Sequence, residues 1–546
     1  MTKRPNLVLI CVEHWRGDCL SIDGHPVVHT PYLDEMASKG ARFRRAYTAT
    51  PSCIASRAAL FTGLGQRSHG RVGYREGVPW DYPTTLAGEF TRHGYQTQAI
   101  GKMHVYPQRS QVGFQNVILH DGPLPYARRQ NPNYDMVDDY LPWLRQQLGR
   151  DADDWDHGVF CNSYVARPWD KPEHVHPTNF VVSQALDFLR RRDPRKPFLL
   201  YLSFHRPHPP YDPPAWAFEQ YLYQAMPEVP VGDWVDMFAD QRRPHRHDAF
   251  FAQVPPHILQ RARAGYYGLQ THIDHQINRL LEALRVFDLY DNTYFCFVAD
   301  HGELLGDHHM FRKYFPYEGS ARVPLILRGP HDCGIRRGAV CDPLVELRDV
   351  MPTLLDCAGL PIPEGVEGRS LLPLARGEGG QVRDILHGEH PILGQSVHWV
   401  TDGHEKYIWF SGTGQEQLFN LDDDPQELHD LALQPASAPL IIAHMNDSDY
   451  PQFCTFTPLV NALEYYATGP GATEVPELYL EDGSSYIVVI SDGEDDGCFS
   501  GDPVSSLADH TTTILDDHGI KSFAIGFGST SGAMASELNA IASNGG

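Results

Sequence analysis

Five uninterrupted apolar runs constrain the fold of this chain more than any other feature. They are rich in β-branched and aromatic residues, and each is short enough to form one strand. Runs that are apolar at every position indicate strands of a sheet that helices cover on both faces. The runs are residues 6–12, 97–100, 198–204, 293–299 and 323–327.

Helical patterns lie between these runs. "TPYLDEMASKG" places Thr30 as a cap, Pro31 at the first helical position and Gly40 as a stop, and "TTLAGEFTRHG" repeats the scheme with Gly94 at its end. Apolar strands that alternate with such helices predict an α/β sandwich.

The length of the chain indicates more than one domain. It has 546 residues, and this length exceeds what a single core usually supports. Its 42% hydrophobic residues are enough to form more than one core. A link rich in proline and glycine at 359–368 precedes a strand-rich unit, and the character of the sequence changes again beyond about 435. We predict an α/β domain at 1–370, a small antiparallel-sheet subdomain at 371–434 and an α/β tail at 445–546.

Charge, cysteines and hydropathy exclude several classes of partner. A formal charge of −24 would repel a phosphate backbone, so we expect no nucleic-acid partner. The ten cysteines show no CxxC or CxxH spacing, which argues against zinc and against a disulfide scaffold. The first apolar run is too short to span a bilayer and lacks a small-residue cleavage site. We therefore expect a cytoplasmic protein without a membrane partner.

A polar cluster follows four of the predicted strands. Ligands of open α/β sheets bind beyond the carboxyl ends of strands, so these clusters predict one shared pocket. The clusters are "EH" (13–14), "GKMH" (101–104), "HRPHPPYDPP" (205–214) and "DHGELLGDHHMFRK" (300–313).

The acidic members of these clusters suggest a metal site. Asp300 and His301 offer an oxygen and a nitrogen ligand after one strand, and Glu13 offers an oxygen after another. A site dominated by carboxylates favours a hard cation such as calcium or magnesium over zinc. The alternative is that Asp300 only caps a turn.

The basic members suggest an anion. Singly, Lys102, His104, His208 and Lys313 are ordinary surface lysines or hydrogen-bonded histidines. Together at strand ends, they could orient a tetrahedral anion and pass protons to a leaving group.

Cys53 begins a predicted helix in "TPSCIASRAALFTG", and Arg57 lies one turn further on. Three interpretations are open: a structural thiol, a thiolate nucleophile, or a cysteine that is converted into another group. A helix N-terminus lowers the pKa of a thiol, which suits a nucleophile. However, the spacing is C-x3-R and not the C-x5-R of cysteine phosphatases, and a soft thiolate is a poor partner for a hard cation.

The motifs together resemble the formylglycine-dependent sulfatases of the alkaline phosphatase superfamily. "CIASRAALFTG" is similar to the signature C-x-P/A-S-R-x-x-L-x-T-G of that family, and the resemblance extends from residue 5 to about 433. It includes "HTPYLDEMASKGARFRRAYT", "GKMH", "SFHRPHPPYDPP", "ADHGELLGDH" and "RVPLILRGP". The resemblance implies an alkaline-phosphatase-like sandwich with a central mixed, mostly parallel sheet.

The resemblance also implies a mechanism. Cys53 would be oxidised to formylglycine, whose hydrated aldehyde attacks sulfur, and the sulfated hemiacetal would expel sulfate by returning to the aldehyde. The metal ligands would be Glu13, Asp300, His301 and the modified residue 53, with His14 at a position that usually supplies another; calcium is the expected ion and magnesium the alternative.

The remaining roles come from the same resemblance. Arg57 and Lys102 would hold the diol, and His104 would remove its second proton. His208 and Lys313 would bind sulfate and protonate the departing alcohol, while Asp300 could take the first proton.

Three positions depart from the commoner family pattern. Glu13 replaces the usual Asp, His14 replaces Asp or Gln, and Ala55 replaces the proline of the signature. Maturing enzymes of the radical-SAM type tolerate alanine there, whereas the oxygen-dependent type prefers proline. The formylglycine-generating enzyme is therefore a predicted partner, and the radical-SAM type fits better.

The segment from about 445 to the end resembles part of a von Willebrand factor A domain. The similar pieces are "FTPLVNALEYY" (456–466), "YIVVISDGEDD" (486–496) and "GIKSFAIGFGST" (519–530). Thr457 and Asp492 occupy two metal-ligand positions of such a domain, but no DxSxS precedes them, so we expect an incomplete metal site.

Three functions compete for this sequence. The leading prediction is a sulfuric ester hydrolase that acts on a sulfated carbohydrate or aryl sulfate. The second keeps the fold but cleaves phosphonate monoesters or phosphodiesters, and the third is an inactive binding protein. Residues 155–176, rich in Trp, His and Arg, are a candidate lining for the substrate or a loop packed on the body.

Overall fold

The computed structural model describes residues 4–122, 134–432, 486–491 and 521–526. No helix within these ranges combines the length and the apolar character needed to cross a bilayer. The α-helices are Pro31–Ser38, Cys53–Thr62, Gln66–His69, Leu86–Arg92, Tyr140–Leu148, Pro177–Arg191, Ala215–Leu222, Pro256–Val286, Glu318–Ala321, Val350–Cys357 and Leu372–Arg376. Short 3-10 turns are Ser21–Asp23, Tyr134–Met136, Glu173–Val175, Val235–Gln241, Tyr290–Asn292, Asp307–His309 and Leu347–Asp349.

An eight-stranded sheet forms the centre of the described structure. Its strands, in spatial order, are Asn116–Leu119, Gln96–Gly101, Phe198–Phe204, Asn6–Val12, Thr293–Ala299, Leu325–Arg328, Ala41–Phe43 and Ala339–Cys341. All pairs are parallel except those that Leu325–Arg328 makes with its two neighbours. The predicted mixed, mostly parallel sheet is confirmed.

Continuous apolar sequence produces strands that are buried along their whole length. Asn6–Val12, Phe198–Phe204 and Thr293–Ala299 begin and end where the apolar runs do, and all of their residues are buried. The predicted strand at 323–327 instead starts at Leu325. Pro324 has no N–H to donate to a ladder, which explains the later start.

The predicted helix signals act as expected at two places. Pro31 occupies the first turn of Pro31–Ser38, and the Thr85 side chain accepts from the Gly88 amide at the start of Leu86–Arg92. The long helix Pro256–Val286 packs against Pro31–Ser38, Pro177–Arg191 and Ala215–Leu222, while Cys53–Thr62 packs with Leu86–Arg92 and Val350–Cys357. Two helix groups thus cover the sheet.

Among the described residues, three smaller sheets accompany the large one, and two of them lie before residue 432. Leu386–Ile392, Gln395–Thr401, Glu405–Phe410 and Glu416–Asn420 form a four-stranded sheet in sequence order, which confirms the small antiparallel sheet. Ala46–Tyr47 pairs in parallel with Val345–Glu346. The predicted domain boundaries stay predictions.

Two strands are described within the predicted tail. Tyr486–Ser491 and Lys521–Gly526 pair in parallel, and they lie within two of the pieces that resemble a von Willebrand factor A segment. The expected metal-ligand positions of that segment, Thr457 and Asp492, lie outside the described residues, so that part of the prediction stays open.

Candidate active site

Two acidic groups meet because two strands end side by side. Asn6–Val12 pairs in parallel with Thr293–Ala299, with Val12 opposite Ala299. The next residues along each strand are Glu13 and Asp300, and both side chains are completely buried. The sheet register therefore places the two predicted oxygen ligands at the same edge.

The GKMH cluster reaches this edge through a close approach of two backbones. Gly101 has φ +95, and a Cβ added there would lie 1.9 Å from the Ser203 carbonyl oxygen. Only glycine fits this position. The chain then directs Lys102 inward, and its Nζ lies 2.5 Å from Oε1 of Glu13.

Cys53 is the first residue of the helix Cys53–Thr62, and it is buried. Its Sγ lies 2.8 Å from Oε1 of Glu13, 3.3 Å from Nε2 of His301 and 3.3 Å from Nζ of Lys313. Ser56, of the same signature, bonds to the carbonyl oxygens of Thr50 and Ser52 and so holds the turn that leads into the helix. The Sγ position marks where the oxygens of a modified residue 53 would stand.

Four side chains form a group suited to a cation. One ligand atom from each of Glu13, Cys53, Asp300 and His301 lies within 4.8 Å of the other three. Oε2 of Glu13 is buried and has no hydrogen-bond partner among the described residues. A buried carboxylate oxygen without a partner is costly unless a cation neutralises it, so the residues fit a hard metal ion.

Neighbouring contacts orient these ligands. Nδ1 of His301 lies 2.9 Å from the Gly302 carbonyl oxygen, which leaves Nε2 as the ligand atom, and Nε of Arg57 donates to Oδ2 of Asp300 over 3.0 Å. Burial lowers the pKa of His301 to about 4. Burial works against ionisation of Glu13, yet Lys102 holds the pKa of that carboxyl well below its usual range.

His14 lies next to this group but is directed elsewhere. Its Nδ1 lies 2.7 Å from Oε2 of Glu303, and its Nε2 lies 2.6 Å from Nζ of Lys313. Because the lysine can only donate, Nε2 accepts and the Nδ1 proton goes to Glu303. The prediction that His14 supplies a further metal ligand is untested, and in this geometry both ring nitrogens are already bonded.

Arg57 links several parts of the site through hydrogen bonds. Its Nη1 donates to the Lys102 carbonyl oxygen, to the Tyr201 hydroxyl and to Oγ of Ser203, over 2.7 to 2.9 Å. The guanidinium therefore joins Asp300, the GKMH turn and the strand Phe198–Phe204. No contact between Arg57 and Cys53 is present in the described hydrogen bonds.

Lys313 is a buried cation at the centre of the site. Burial opposes its charge, but the Cys53 thiol and the Tyr314 and Glu13 side chains outweigh this and raise the pKa of Lys313 above its usual range. An ammonium group 3.3 Å from residue 53 suits the binding of an anion there.

His104 reaches the site with its ring held by an acid. Its Nε2 lies 3.1 Å from Oε1 of Glu76, and its backbone amide donates to Oδ1 of Asp121 over 2.8 Å. Burial and Lys102 oppose protonation, but Glu76 and Cys53 outweigh them and raise the pKa of His104 to about 9. Glu76 was absent from the sequence predictions because no strand end or motif marks it.

Two histidines of the "HRPHPP" cluster face Glu13. His205 and His208 each offer a nitrogen within 4.8 Å of a Glu13 oxygen, and their rings are 4.8 Å apart. Nδ1 of His208 lies 2.8 Å from the Pro209 carbonyl oxygen, and burial lowers the pKa of His208 well below its usual value. His208 is therefore neutral in the free protein, with its Nε2 lone pair available.

His205 was not singled out from the sequence, although it follows a strand. Arg206, which is bound to both oxygens of Asp212, donates to Nδ1 of His205 over 2.6 Å. Nε2 of His205 must then carry the proton, and this nitrogen lies 3.8 Å from Oε2 of Glu13. A protonated Nε2 cannot bind a metal, so these three residues do not make a second metal site.

The candidate substrate lining, residues 155–176, packs in part on the body. Ala166 pairs with Tyr211, and the Trp169 amide donates to the Pro213 carbonyl oxygen over 2.8 Å. Trp169 is buried, whereas Phe160 and Val165 are exposed. These contacts favour the packed-loop interpretation for 166–169.

Comparison with known families identifies the chain. The sequence model of the Sulfatase family matches residues 5–360. The chain belongs to the Sulfatase family. The C-terminal model of N-sulphoglucosamine sulphohydrolase also matches residues 306–448 of this sulfatase.

Relatives and solved structures agree with this assignment. The sulfatase is 49% identical over 433 residues to an arylsulfatase of Clostridium perfringens (strain 13 / Type A), and the match covers 78% of this chain and 90% of the relative. A choline-sulfatase of Rhizobium meliloti is 28% identical, with 80% of this chain and 83% of the relative covered. This sulfatase is thus an enzyme of sulfate ester hydrolysis, as predicted.

Two solved structures share the fold. A phosphonate monoester hydrolase of Agrobacterium radiobacter has a TM-score of 0.67 at 27% identity, and the match covers 81% of this chain and 94% of that one. BT4656, solved with its substrate D-glucosamine-2-N,6-O-disulfate, has a TM-score of 0.64 at 20% identity and covers 81% and 96%. The predicted alkaline-phosphatase-like sandwich is confirmed.

Proposed function

We propose that this sulfatase hydrolyses aryl sulfates or sulfated carbohydrates with a formylglycine made from Cys53 and with a calcium ion, or alternatively magnesium, at Glu13, Asp300 and His301. The observation that carries the proposal is the position of Cys53. Its sulfur lies within 3.3 Å of Glu13, His301 and Lys313 at the start of a helix. A thiol gains nothing from a hard-cation site, whereas a pair of oxygens on the same carbon would be a good ligand.

The two groups that the residues would hold supply different chemistry. A bound divalent cation lowers the pKa of a ligated hydroxyl and neutralises charge on sulfate oxygens, and a hydrated aldehyde offers one hydroxyl for attack and another for release. The protein's own part is to place these groups, hold the anion and move protons.

The lysines and the arginine hold charge and shape. Lys313 lies 3.3 Å from Sγ of Cys53, and Lys102 lies 2.5 Å from Oε1 of Glu13. Both ammonium groups would bind oxygens of the sulfate. Arg57 fixes Asp300 through one carboxylate oxygen, which leaves the other oxygen for the site. Burial of all these groups excludes water and strengthens each interaction.

Proton transfers fall to the histidines and Asp300. Asp300 could accept the first proton from residue 53, and His104 the second. A sulfate bound beside His208 would raise the pKa of this histidine by Coulomb attraction, so that it could deliver a proton to the leaving oxygen.

The substrate class rests on likeness to relatives and on the cationic site. A relative at 49% identity is an arylsulfatase, and the two buried lysines suit an anionic ester. Phosphonate monoesters form the competing class, because one structural neighbour is a phosphonate monoester hydrolase.

Peptide mass spectrometry tests the proposal directly. The protein would be expressed with and without a radical-SAM maturing enzyme, and the tryptic peptide 46–57 would be weighed. We expect the mass loss of a thiol turning into an aldehyde, and sulfatase activity in proportion to it. Cys53→Ala is the matched control that no maturing enzyme can convert.

The same preparations should be assayed on aryl sulfates, sulfated sugars, phosphonate monoesters and phosphodiesters. Activity of a protein whose Cys53 is still a thiol would disprove the formylglycine mechanism. Matured protein that prefers phosphonates would replace the substrate class, and matured protein without any turnover would support the inactive binding protein.

A further inference from the structure

The Glu76 carboxylate contacts two side chains at the edge of the site. Its Oε1 lies 3.1 Å from Nε2 of His104, and the Tyr74 hydroxyl donates to the same oxygen over 2.5 Å. Glu76 comes from the loop between the helices Gln66–His69 and Leu86–Arg92, and not from a strand end. We propose that Glu76 is a positioning residue that holds the His104 ring in one orientation, with Nε2 at the carboxylate and Nδ1 on the side of residue 53.

The backbone around His104 is fixed independently of this carboxylate. The amides of Met103 and His104 both donate to Oδ1 of Asp121 over 2.8 Å, and His104 has φ +54. A left-handed conformation in a residue other than glycine is unfavourable and persists only when its surroundings impose it. The backbone thus directs the ring into the site, and Glu76 sets the orientation and proton position of the ring.

The tautomer follows from the donor and acceptor inventory. A carboxylate can only accept, so Nε2 of a neutral His104 must carry the proton that points at Glu76. Nδ1 is then the nitrogen that takes up and releases the second proton. Because the pKa of His104 is about 9 in the protein with a Cys53 thiol, Nδ1 must release that proton before it acts as the base. It is buried without a hydrogen-bond partner among the described residues, and the Cys53 thiol interacts with this ring.

This arrangement matches what sulfate release would require. Nδ1 of His104 would take the proton of the free hydroxyl on a modified residue 53, the electron pair of that O–H bond would form the carbonyl, and the bond between this carbon and the sulfate oxygen would break. Sulfate would leave with the bonding electrons. An orienting acid behind a histidine base is a recurrent solution in hydrolases. The inference rests on the proposed function, because it assigns His104 as the base toward residue 53.

Three variants separate charge, hydrogen bond and mere volume. Glu76→Gln keeps an oxygen that can accept from Nε2 but removes the charge, Glu76→Leu removes both, and Tyr74→Phe removes only the second contact of the carboxylate. Arg75→Gln is the matched control, since Arg75 is the exposed neighbour. Each preparation would be corrected for its content of formylglycine, measured on peptide 46–57.

The readouts are kcat and KM for 4-nitrophenyl sulfate and the amount of sulfate bound to peptide 46–57 after acid quench in a single turnover. We expect kcat to fall about 100-fold in Glu76→Leu and about tenfold in Glu76→Gln, within the range of general base contributions. In both Glu76 variants KM should change little and bound sulfate should persist longer than in the parent sequence. Arg75→Gln should behave as the parent sequence does. Tyr74→Phe should fall between Glu76→Gln and the control.

A double-variant cycle decides between positioning and plain structure. If Glu76 acts through His104, Glu76→Leu adds no further loss of kcat in a His104→Asn background. An equal loss in both backgrounds, or a loss of kcat without longer-lived bound sulfate, would overturn the inference. Failure of the proposed function would look different, because active protein would then retain the Cys53 thiol before any substitution at position 76.

Discussion

Glu13–His14 and Asp300–His301 are two acid–histidine pairs at the ends of neighbouring parallel strands. Their carboxylates lie at equivalent places, yet only His301 directs a nitrogen at Cys53. His14 has φ +58 and is bonded to Glu303 and Lys313 instead. The same two-residue pattern therefore places two candidate ligands at one strand end. At the other end it places one candidate ligand and a histidine that is bonded to Glu303 and Lys313.

The two histidines differ because their partners lie at different distances along the chain. His301 is fixed by the carbonyl oxygen of the next residue, a local contact, whereas His14 is fixed by groups 289 and 299 residues away. Local hydrogen bonds can be anticipated from a short motif, but a distant partner depends on the whole fold. The His14 ring lies 4.2 Å from that of His208 and 4.5 Å from that of His301, between two other functional groups.

Substitution of Asp300 should give the largest loss of activity. We expect Asp300→Asn to lower kcat/KM by at least about 10³-fold, because several kcal/mol of charge stabilisation by the cation would be lost. The measurement is sulfatase activity at saturating calcium, per formylglycine. Asp291→Asn, an exposed substitution just before the same strand, is the control. Activity within about tenfold of the control would contradict the metal assignment.

The two histidines should separate in metal affinity. His301→Ala is expected to weaken calcium binding about 100-fold, and His14→Ala about tenfold or less, since the first removes a ligand and the second a neighbour. Isothermal titration after chelation measures both. Equal losses would mean that His14 turns toward the ion when it binds, which would restore the prediction that it is a ligand.

Glu303, the partner of His14, should affect stability more than metal binding. Glu303 is completely buried and accepts from His14 and from the amides of Leu305 and Arg312. We expect Glu303→Gln to lower the free energy of unfolding by about 1–3 kcal/mol, because one buried partner is left unsatisfied. Denaturant unfolding of the chelated protein measures this. A larger loss of calcium affinity than of stability would place Glu303 among the groups that tune the ion.

The smallest effect is expected from a change toward the commoner family residue. Glu13→Asp shortens the side chain by one methylene and should alter calcium affinity by less than about tenfold, since Lys102 and residue 53 can follow a short shift. Titration of the variant beside the unmodified chain tests this. Loss of binding altogether would show that the longer acid is required by the way His14 is placed.

Most of the architecture was predictable because it depends on short-range pattern. The apolar runs at 6–12, 198–204 and 293–299 became strands with the same ends. Cys53 and the acids after the strands were also found this way. Glu76 and Glu303 were not, because nothing in a loop glutamate's neighbours indicates which histidine it will face. The domain boundaries and the cytoplasmic location stay predictions.

The sequence by itself determined an α/β sheet whose strand ends carry Glu13, Lys102, His208 and Asp300, and a modified-cysteine signature at Cys53. Periodicity and motif spacing are local properties, so they survive without a structure. The tertiary structure decided which nitrogen of each histidine carries the proton. That choice depends on Arg206 for His205, Glu303 for His14 and Glu76 for His104, groups whose positions follow only from the packing of distant segments.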